Sequence, residues 1–224
     1  MADSIETRII EIIRILRKRY PDVKCTLDFQ TPFQLLVATI LAAQSTDVTV
    51  NKITPALFRK YPDPKSFAEA DIEELQKAVY SSGFFKQKTH SIMEASQDIV
   101  NEYNGELPDN MESLIKLRGV GRKTANVVLG AAFGKQAIIV DTHMLRLSGR
   151  LAFVDGKLAV KKDAEKVEQE LMKVVPGDQW TLFSHLMVYF GRDICEAKSP
   201  KHNVCPILHL CEFGQKALQG QEVK

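Results

Sequence analysis

Apolar residues recur at three- and four-residue steps along almost the whole chain, and that period builds helices rather than sheets. Ile5, Ile9, Ile12 and Leu16 form the first stripe, with Asp3 placed as its cap and Glu6 placed for a capping box. Tyr20-Pro21 closes that helix, because the residue before a proline leaves the helical region. Thr31-Pro32-Phe33-Gln34 starts a second helix: a cap, a proline at the first helical position and an amide to bond back. The run from Leu35 to Ala43 is apolar on nearly every side, which predicts a central buried helix, ending at the polar Gln44-Ser45-Thr46-Asp47. Asp71 caps Ile72, Leu75 and Val79; Ile92, Ala95, Ile99 and Tyr103 form another stripe, closed by Asn104-Gly105. Asp109 with Glu112 opens a short helix through Leu117, and Arg122 to Phe133 forms the next, stopped by Gly134. Val167, Leu171 and Val174 mark a late helix, and Trp180 to Phe190 the last long one, ended by Gly191. Only Ala137 to Val140 hints at a strand, and four residues cannot build a sheet. The fold class is all-α.

With 224 residues, the chain makes one compact body or two small interlocked lobes. Its 45% apolar and 26% charged residues exclude a disordered, collagenous or coiled-coil chain. Its apolar stretches fall well short of the roughly 20 residues that span a bilayer. The opening Met-Ala-Asp-Ser leads into no apolar signal core, so a cytoplasmic protein is expected. A net charge of +2 is too weak a field to identify a nucleic-acid partner, so any DNA binding has to come from local arrangement. Of the four cysteines, Cys25 stands alone while Cys195, Cys205 and Cys211 cluster. In a reducing compartment such a cluster points to metal or catalysis before disulfides.

Leu117-Arg118-Gly119-Val120-Gly121-Arg122-Lys123-Thr124-Ala125 joins two of the expected helices through a turn with two glycines. Glycine permits positive φ and close approach of a backbone or phosphate. The helix beginning at Gly121 or Arg122 offers free amides and a positive dipole end. Such a helix-hairpin-helix grips a DNA backbone without reading its sequence; a plain αα-hairpin with a glycine turn fits the fragment equally well.

Leu-Ala-Ala-Gln-Ser-Thr-Asp at 41–47, Ser-Gly-Phe at 82–84, the hairpin with Gly-Val-Gly-Arg-Lys-Thr-Ala-Asn, Val140-Asp141-Thr142-His143 and the C-terminal cysteine segment occur in that order. Together, from about Pro21 to Cys211, they resemble the endonuclease III family of DNA base-excision glycosylases. The resemblance implies two helical lobes with DNA and the active site in the cleft between them. Residues 24–134 would be a six-helix bundle containing the hairpin, and 1–23 with 135–224 a second helical domain carrying an iron–sulfur loop. It implies a bifunctional glycosylase and AP lyase that excises damaged, oxidised pyrimidines through a lysine imine and cuts the abasic strand by β-elimination. The partner would be double-stranded DNA with a damaged pyrimidine or abasic site, with no membrane, a monomer as the working state and, for a prokaryotic source, a nucleoid location.

By that resemblance Lys123 is the nucleophile that attacks C1′ of the flipped nucleotide; its simplest other role is a phosphate contact. Lysine suits the task because, unlike arginine, it can lose its proton once desolvated or set near other cations. Asp141 is the carboxylate that stabilises positive charge developing on the sugar, although an aspartate before Thr-His also reads as an N-cap. His143 reads as a structural histidine, and Asp47 either organises the pocket or caps a helix. Gln44 would fill the gap left by the flipped base, and Phe84 would be an apolar wedge; without the resemblance they read as a helix terminus and a core aromatic. Gly119, Gly121 and Arg122 would grip the backbone, and Lys198 and Lys201 in the cysteine loop would face phosphate.

Two positions depart from the family. Arg118 stands where it usually has proline before the first glycine. The family's cluster ligands follow Cys-x6-Cys-x2-Cys-x5-Cys, whereas Cys195, His202, Cys205 and Cys211 occupy those positions here. Imidazole can ligate iron in such centres, so a [4Fe–4S] cluster with His202 as fourth ligand is expected. A three-iron centre, a zinc ion, for which three cysteines and a histidine also make a tetrahedral set, or an empty site are the alternatives. Two rival functions remain. A monofunctional adenine or mismatch glycosylase would lack lysine at 123, and a non-catalytic hairpin module would not need both Lys123 and Asp141.

Overall fold

The computed structural model describes residues 4–221, and among them every regular element is helical. Helix α1 (Ile5–Arg19) buries Ile9, Ile12, Ile13 and Leu16. Its cap is Ser4, whose hydroxyl accepts the Thr7 N–H at 3.2 Å; Asp3 lies outside the described residues. Because the cap is Ser4, Thr7 takes the third helical position, and the capping box expected from Glu6 does not form.

Residues 25–135 form one compact unit. It runs α2 (Pro32–Ala42), α3 (Asp47–Lys60), α4 (Pro64–Ala68), α5 (Ile72–Val79), a 3-10 turn (Tyr80–Ser82), α6 (Phe85–Glu102), α7 (Met111–Leu114) and α8 (Arg122–Ala131). Helix α2 buries every residue from Phe33 to Leu41 and packs on α3, α6 and α8. Each fully buried leucine, such as Leu35, Leu36 and Leu41, contributes about 2 kcal/mol of burial free energy, so α2 is the spine of this unit. Thr31 caps it by accepting the Gln34 N–H at 3.2 Å. The Gln34 side chain bonds back one residue further, to the Gln30 N–H at 2.9 Å.

Three boundaries differ from expectation, the first being that α7 ends at Leu114, short of Leu117. Asn110, not Asp109, caps α7, accepting the Ser113 N–H at 2.9 Å, because Asp109 is held by an ion pair with Lys135 at 2.6 Å. Helix α8 stops at Ala131, short of Phe133. The left-handed Gly134 (φ 66°) then lets Lys135 N–H return to the Leu129 carbonyl at 2.9 Å.

Helix α1 and residues 136–221 form the second unit, with α9 (Thr142–Arg150), α10 (Gly156–Lys161), α11 (Ala164–Val174), α12 (Trp180–Asp193) and α13 (Glu212–Leu218), plus 3-10 turns at Gly177–Gln179, His202–Val204 and Leu208–Leu210. Ile9, Leu16, Leu147, Leu171, Phe183 and Met187 are among its core residues. Gly191 does not end α12, which runs on to Asp193. A methyl group at Gly191 would stand 2.7 Å from His143 Nδ1, so this glycine makes room for a neighbouring helix. Residues 137–140 are extended and buried but form no strand. Hydroxyls of α12 replace a partner strand, Thr181 Oγ1 accepting the Ala137 N–H at 3.1 Å and Ser184 Oγ the Ile139 N–H at 2.9 Å.

Candidate active site and metal centre

The turn between α7 and α8 is built on one necessary glycine. Gly119 has φ 74°, and a methyl group there would lie 2.5 Å from Ser91 Cβ on α6. Both the left-handed backbone and the close approach exclude a side chain. Gly121 differs: its φ is −89° and it is the N-cap of α8, with no side-chain cap. A methyl group at Gly121 would meet nothing within 4 Å. The first-turn amides of α8 therefore lack the side-chain oxygen that usually closes a helix start, and they open towards an anion.

Arg118 takes up its place through two acids of α6. Its N–H, which a proline would lack, donates to Asp98 Oδ2 at 3.3 Å, and its guanidinium pairs with Glu94 at 3.2 Å. Arg122 is half-buried and engaged within the protein. Lys123 stands exposed in the first turn of α8.

Cys25 shares that neighbourhood, a proximity the sequence did not signal. Burial pushes its thiol up; nearby Asp47 and Asp28 add to the rise, and Lys123 opposes it. Asp47 is the first residue of α3, whose cap is Thr46, and Asp47 accepts the Thr26 hydroxyl at 2.6 Å. Of its two expected roles, the cap is therefore taken by Thr46.

Gln44, just beyond the end of α2, and Phe84, the N-cap of α6, both have left-handed backbones, with φ 53° and 49°. Side-chain-bearing residues adopt that region at a cost of roughly 1–2 kcal/mol. Gln44 is exposed, and Phe84 keeps 61% of its surface in solvent, which excludes the core-aromatic reading. Beneath them lies Lys88, which the sequence reading passed over. It is 5% exposed and donates from Nζ to the Leu41 and Ser82 carbonyls, each at 2.8 Å. A signal existed: Lys88 sits four residues before Ile92, on the apolar stripe of α6.

In the second unit, Asp141 caps α9, its Oδ1 accepting the Met144 N–H at 2.8 Å. The cap fixes a half-buried carboxylate without using Oδ2. His143 contacts Arg146 Nη2 at 3.1 Å. Burial lowers its pKa, with Asp141 opposing the shift, as suits a packed histidine.

Cys195, His202, Cys205 and Cys211 line one cavity with apolar Leu151, Phe190, Ile194 and Ile207. Arg150 Nη1 donates to Cys195 Sγ at 3.3 Å, and Gly214 N–H donates to Cys211 Sγ, also at 3.3 Å. Burial pushes the Cys205 thiol up to about 11, with Cys211 and Cys195 adding to the rise. The imidazole of His202 packs against Phe213, ring centres 5.8 Å apart. A methyl group at Gly214 would fall 3.1 Å from its Nδ1, so this glycine leaves the ring its space. Among the described residues no three His, Cys, Asp or Glu side chains converge closely enough to hold a single metal ion. Lys198 is exposed. Lys201 instead ties the loop together, donating to the Asp193 carbonyl at 2.7 Å and pairing with Glu196 at 3.0 Å.

The chain as a whole is similar to known proteins. The HhH-GPD superfamily base excision DNA repair protein family matches residues 37–177. The endonuclease III of Synechocystis sp. is 48% identical over 213 residues, covering 95% of each chain. A solved non-covalent endonuclease III–DNA complex superposes with a TM-score of 0.88 at 41% identity, covering 96% of this chain and 98% of that one. A trapped endonuclease III–DNA covalent intermediate with an estranged adenine gives the same score and identity, covering 95% and 98%.

Proposed function

Because this chain belongs to the endonuclease III family of the HhH-GPD superfamily, it is a bifunctional DNA glycosylase and AP lyase of base excision repair, and we propose that Lys123 and Asp141 carry its chemistry on oxidised pyrimidines. The observation that carries this reading is the exposed Lys123 in the uncapped first turn of α8: the nucleophile and a phosphate-gripping set of amides share one turn. A bound duplex both occupies the amides and strips water from the amine, which makes the unprotonated amine accessible. The trapped covalent complex of the related enzyme supports an enzyme–DNA bond as part of this chemistry.

The Lys123 lone pair forms a bond to C1′ as the glycosidic bond breaks, and the base leaves with that electron pair and takes up a proton. Loss of the amine proton and opening of the sugar ring give a protonated imine. The imine acidifies the C2′ proton; its removal expels the 3′ phosphate with the C3′–O electrons, and water releases Lys123. Asp141, its carboxylate held by its cap, stabilises the positive charge on the sugar. Gln44 fills the vacated stack, Phe84 wedges the kinked duplex, and Gly119, Gly121, Arg122 and Lys198 serve the backbone. Lys201 acts there only if DNA draws it from Glu196. No helix among the described residues is long and apolar enough to cross a membrane, and the bacterial relatives are compatible with work on DNA in a bacterial cytoplasm.

The family typically carries a [4Fe–4S] cluster, and the donor set here fits one. We assign Cys195, Cys205, Cys211 and His202 as its ligands. The three thiols and the imidazole line one cavity, as a cluster bound by all four requires. When bound, the cluster supplies a cross-link of the 195–211 segment and a redox centre whose potential rises with a neutral imidazole in place of a thiolate.

Product analysis tests the function. A duplex with one oxidised pyrimidine should yield free base and a strand ending in a 3′ unsaturated aldehyde. Free base with a strand that breaks only on alkali treatment would contradict it. Anaerobically purified protein should hold about four irons and four sulfides; one zinc without sulfide would contradict the cluster while leaving the glycosylase and lyase reading standing.

A further inference from the structure

Two residues assigned to the opened duplex, Gln44 and Phe84, come from different parts of the chain and share a left-handed backbone. Each follows the carbonyl end of a helical element by two residues: α2 ends at Ala42, and the 3-10 turn at Ser82. Helix ends leave carbonyls without intrahelical partners. Around α2, the Ser45 N–H reaches the Ala42 carbonyl and does not take up that of Leu41. The Leu41 and Ser82 carbonyls instead converge on one nitrogen, Lys88 Nζ.

We propose that Lys88 is a positioning residue, whose buried ammonium ties the carbonyl ends of α2 and of the Tyr80–Ser82 turn together and so sets how Gln44 and Phe84 are presented to DNA. This rests on the reading of those two as the residues that enter the duplex. Among the described residues Lys88 has no carboxylate partner; its ammonium donates to backbone carbonyls at the negative ends of two helical elements. Burial lowers its pKa, a cost tolerated where the charge satisfies two carbonyls that would otherwise be buried unpaired. Ser82, 3% exposed, adds a hydroxyl bond to the Val79 carbonyl at 2.7 Å, so the take-off point of Phe84 is held from both sides. A compact three-donor ammonium suits two converging carbonyls; the planar fork of arginine directs its donors differently.

The test compares Lys88→Met, Gln44→Ala, Phe84→Ala and the double variant Lys88→Met/Phe84→Ala, all with folding checked by circular dichroism. Affinity for a duplex with a stable abasic-site analogue is measured, with 2-aminopurine fluorescence opposite the site reporting insertion. Lys88→Met should weaken abasic-site binding about tenfold, as expected for lost charge-assisted hydrogen bonds, and change the 2-aminopurine signal. It should leave affinity for undamaged duplex and the strand-cleavage rate at saturating enzyme within about threefold, and the double variant should lose little more than the worse single one, because the residues act as a unit. Unchanged affinity and fluorescence in Lys88→Met, with weakened binding in Gln44→Ala and Phe84→Ala, would overturn the positioning role alone. Unchanged binding in all of them would overturn the wedge reading as well. Should Lys88→Met not fold, Lys88→Arg, which keeps the charge but moves the donors, should show the same loss of signal, and wild-type behaviour in it would overturn the proposal.

Discussion

The hairpin turn and the cysteine loop each depart from the family pattern at one position, and the two departures have different consequences. At the turn, Arg118 replaces a proline, and two acids of α6 receive it: Asp98 accepts its N–H and Glu94 its guanidinium. Gly119, the residue that the close approach to Ser91 requires, is unchanged. In the loop, His202 replaces a cysteine, and its surroundings also accommodate it, with Gly214 and Phe213 making a place for the ring. Packing can absorb a changed scaffold residue, but a changed ligand alters the charge and chemistry of whatever is bound.

The largest expected effect lies on the hairpin side, where chemistry depends on one amine. Lys123→Gln should lower single-turnover strand cleavage by more than about a thousandfold while abasic-site binding stays within a few fold, since binding is spread over amides and wedges. Wild-type cleavage in that variant would remove the hairpin from the chemistry. Next comes the second unit, through Asp141→Asn. The amide keeps the cap on Met144 but loses the charge, so excision should slow about a hundredfold in a protein of unchanged Tm; equal rates would leave Asp141 as a cap only.

In the loop, His202→Cys restores a thiolate. Iron and sulfide content should be retained and the reduction potential should fall, because a negative ligand stabilises the oxidised cluster. A potential unmoved by the change, measured by voltammetry on a DNA-modified electrode, would exclude His202 as a ligand. The smallest effect belongs to the scaffold departure. Arg118→Pro gives up the Asp98 bond and an exposed ion pair that is worth little, and gains from a stiffer unfolded chain, so stability should change by no more than about 1 kcal/mol. Calorimetry checks this, and a larger loss would mean that α6 depends on Arg118.

The same contrast shows what was legible in the sequence. The all-α class, the burial of α2 and the Gly119 turn were readable because each follows from periodicity or from a residue with few conformational options. The ends of helices were not. Asp3, Asp109 and Gly191 all looked like terminal signals, whereas Ser4, Asn110 and Asp193 stand at or beside the actual ends. An acid already paired, as Asp109 is with Lys135, is lost to capping, and a glycine can serve a packed neighbour instead of a turn. Gln44 and Phe84 were singled out only through family resemblance; their exposure and left-handed backbones are tertiary facts. Lys88 was missed because a lysine within an apolar stripe reads as a charge at the margin of a helix face, and its carbonyl partners come from two distant segments.

The central claim is that Lys123 forms the covalent bond to DNA. Borohydride reduction of the protein acting on an abasic-site duplex, followed by nuclease and protease digestion and mass spectrometry of the peptides, locates that bond to a residue. The account predicts one sugar-derived adduct, on Lys123. An adduct on another lysine or on the N-terminal amine, or efficient strand cleavage with no adduct, would contradict it.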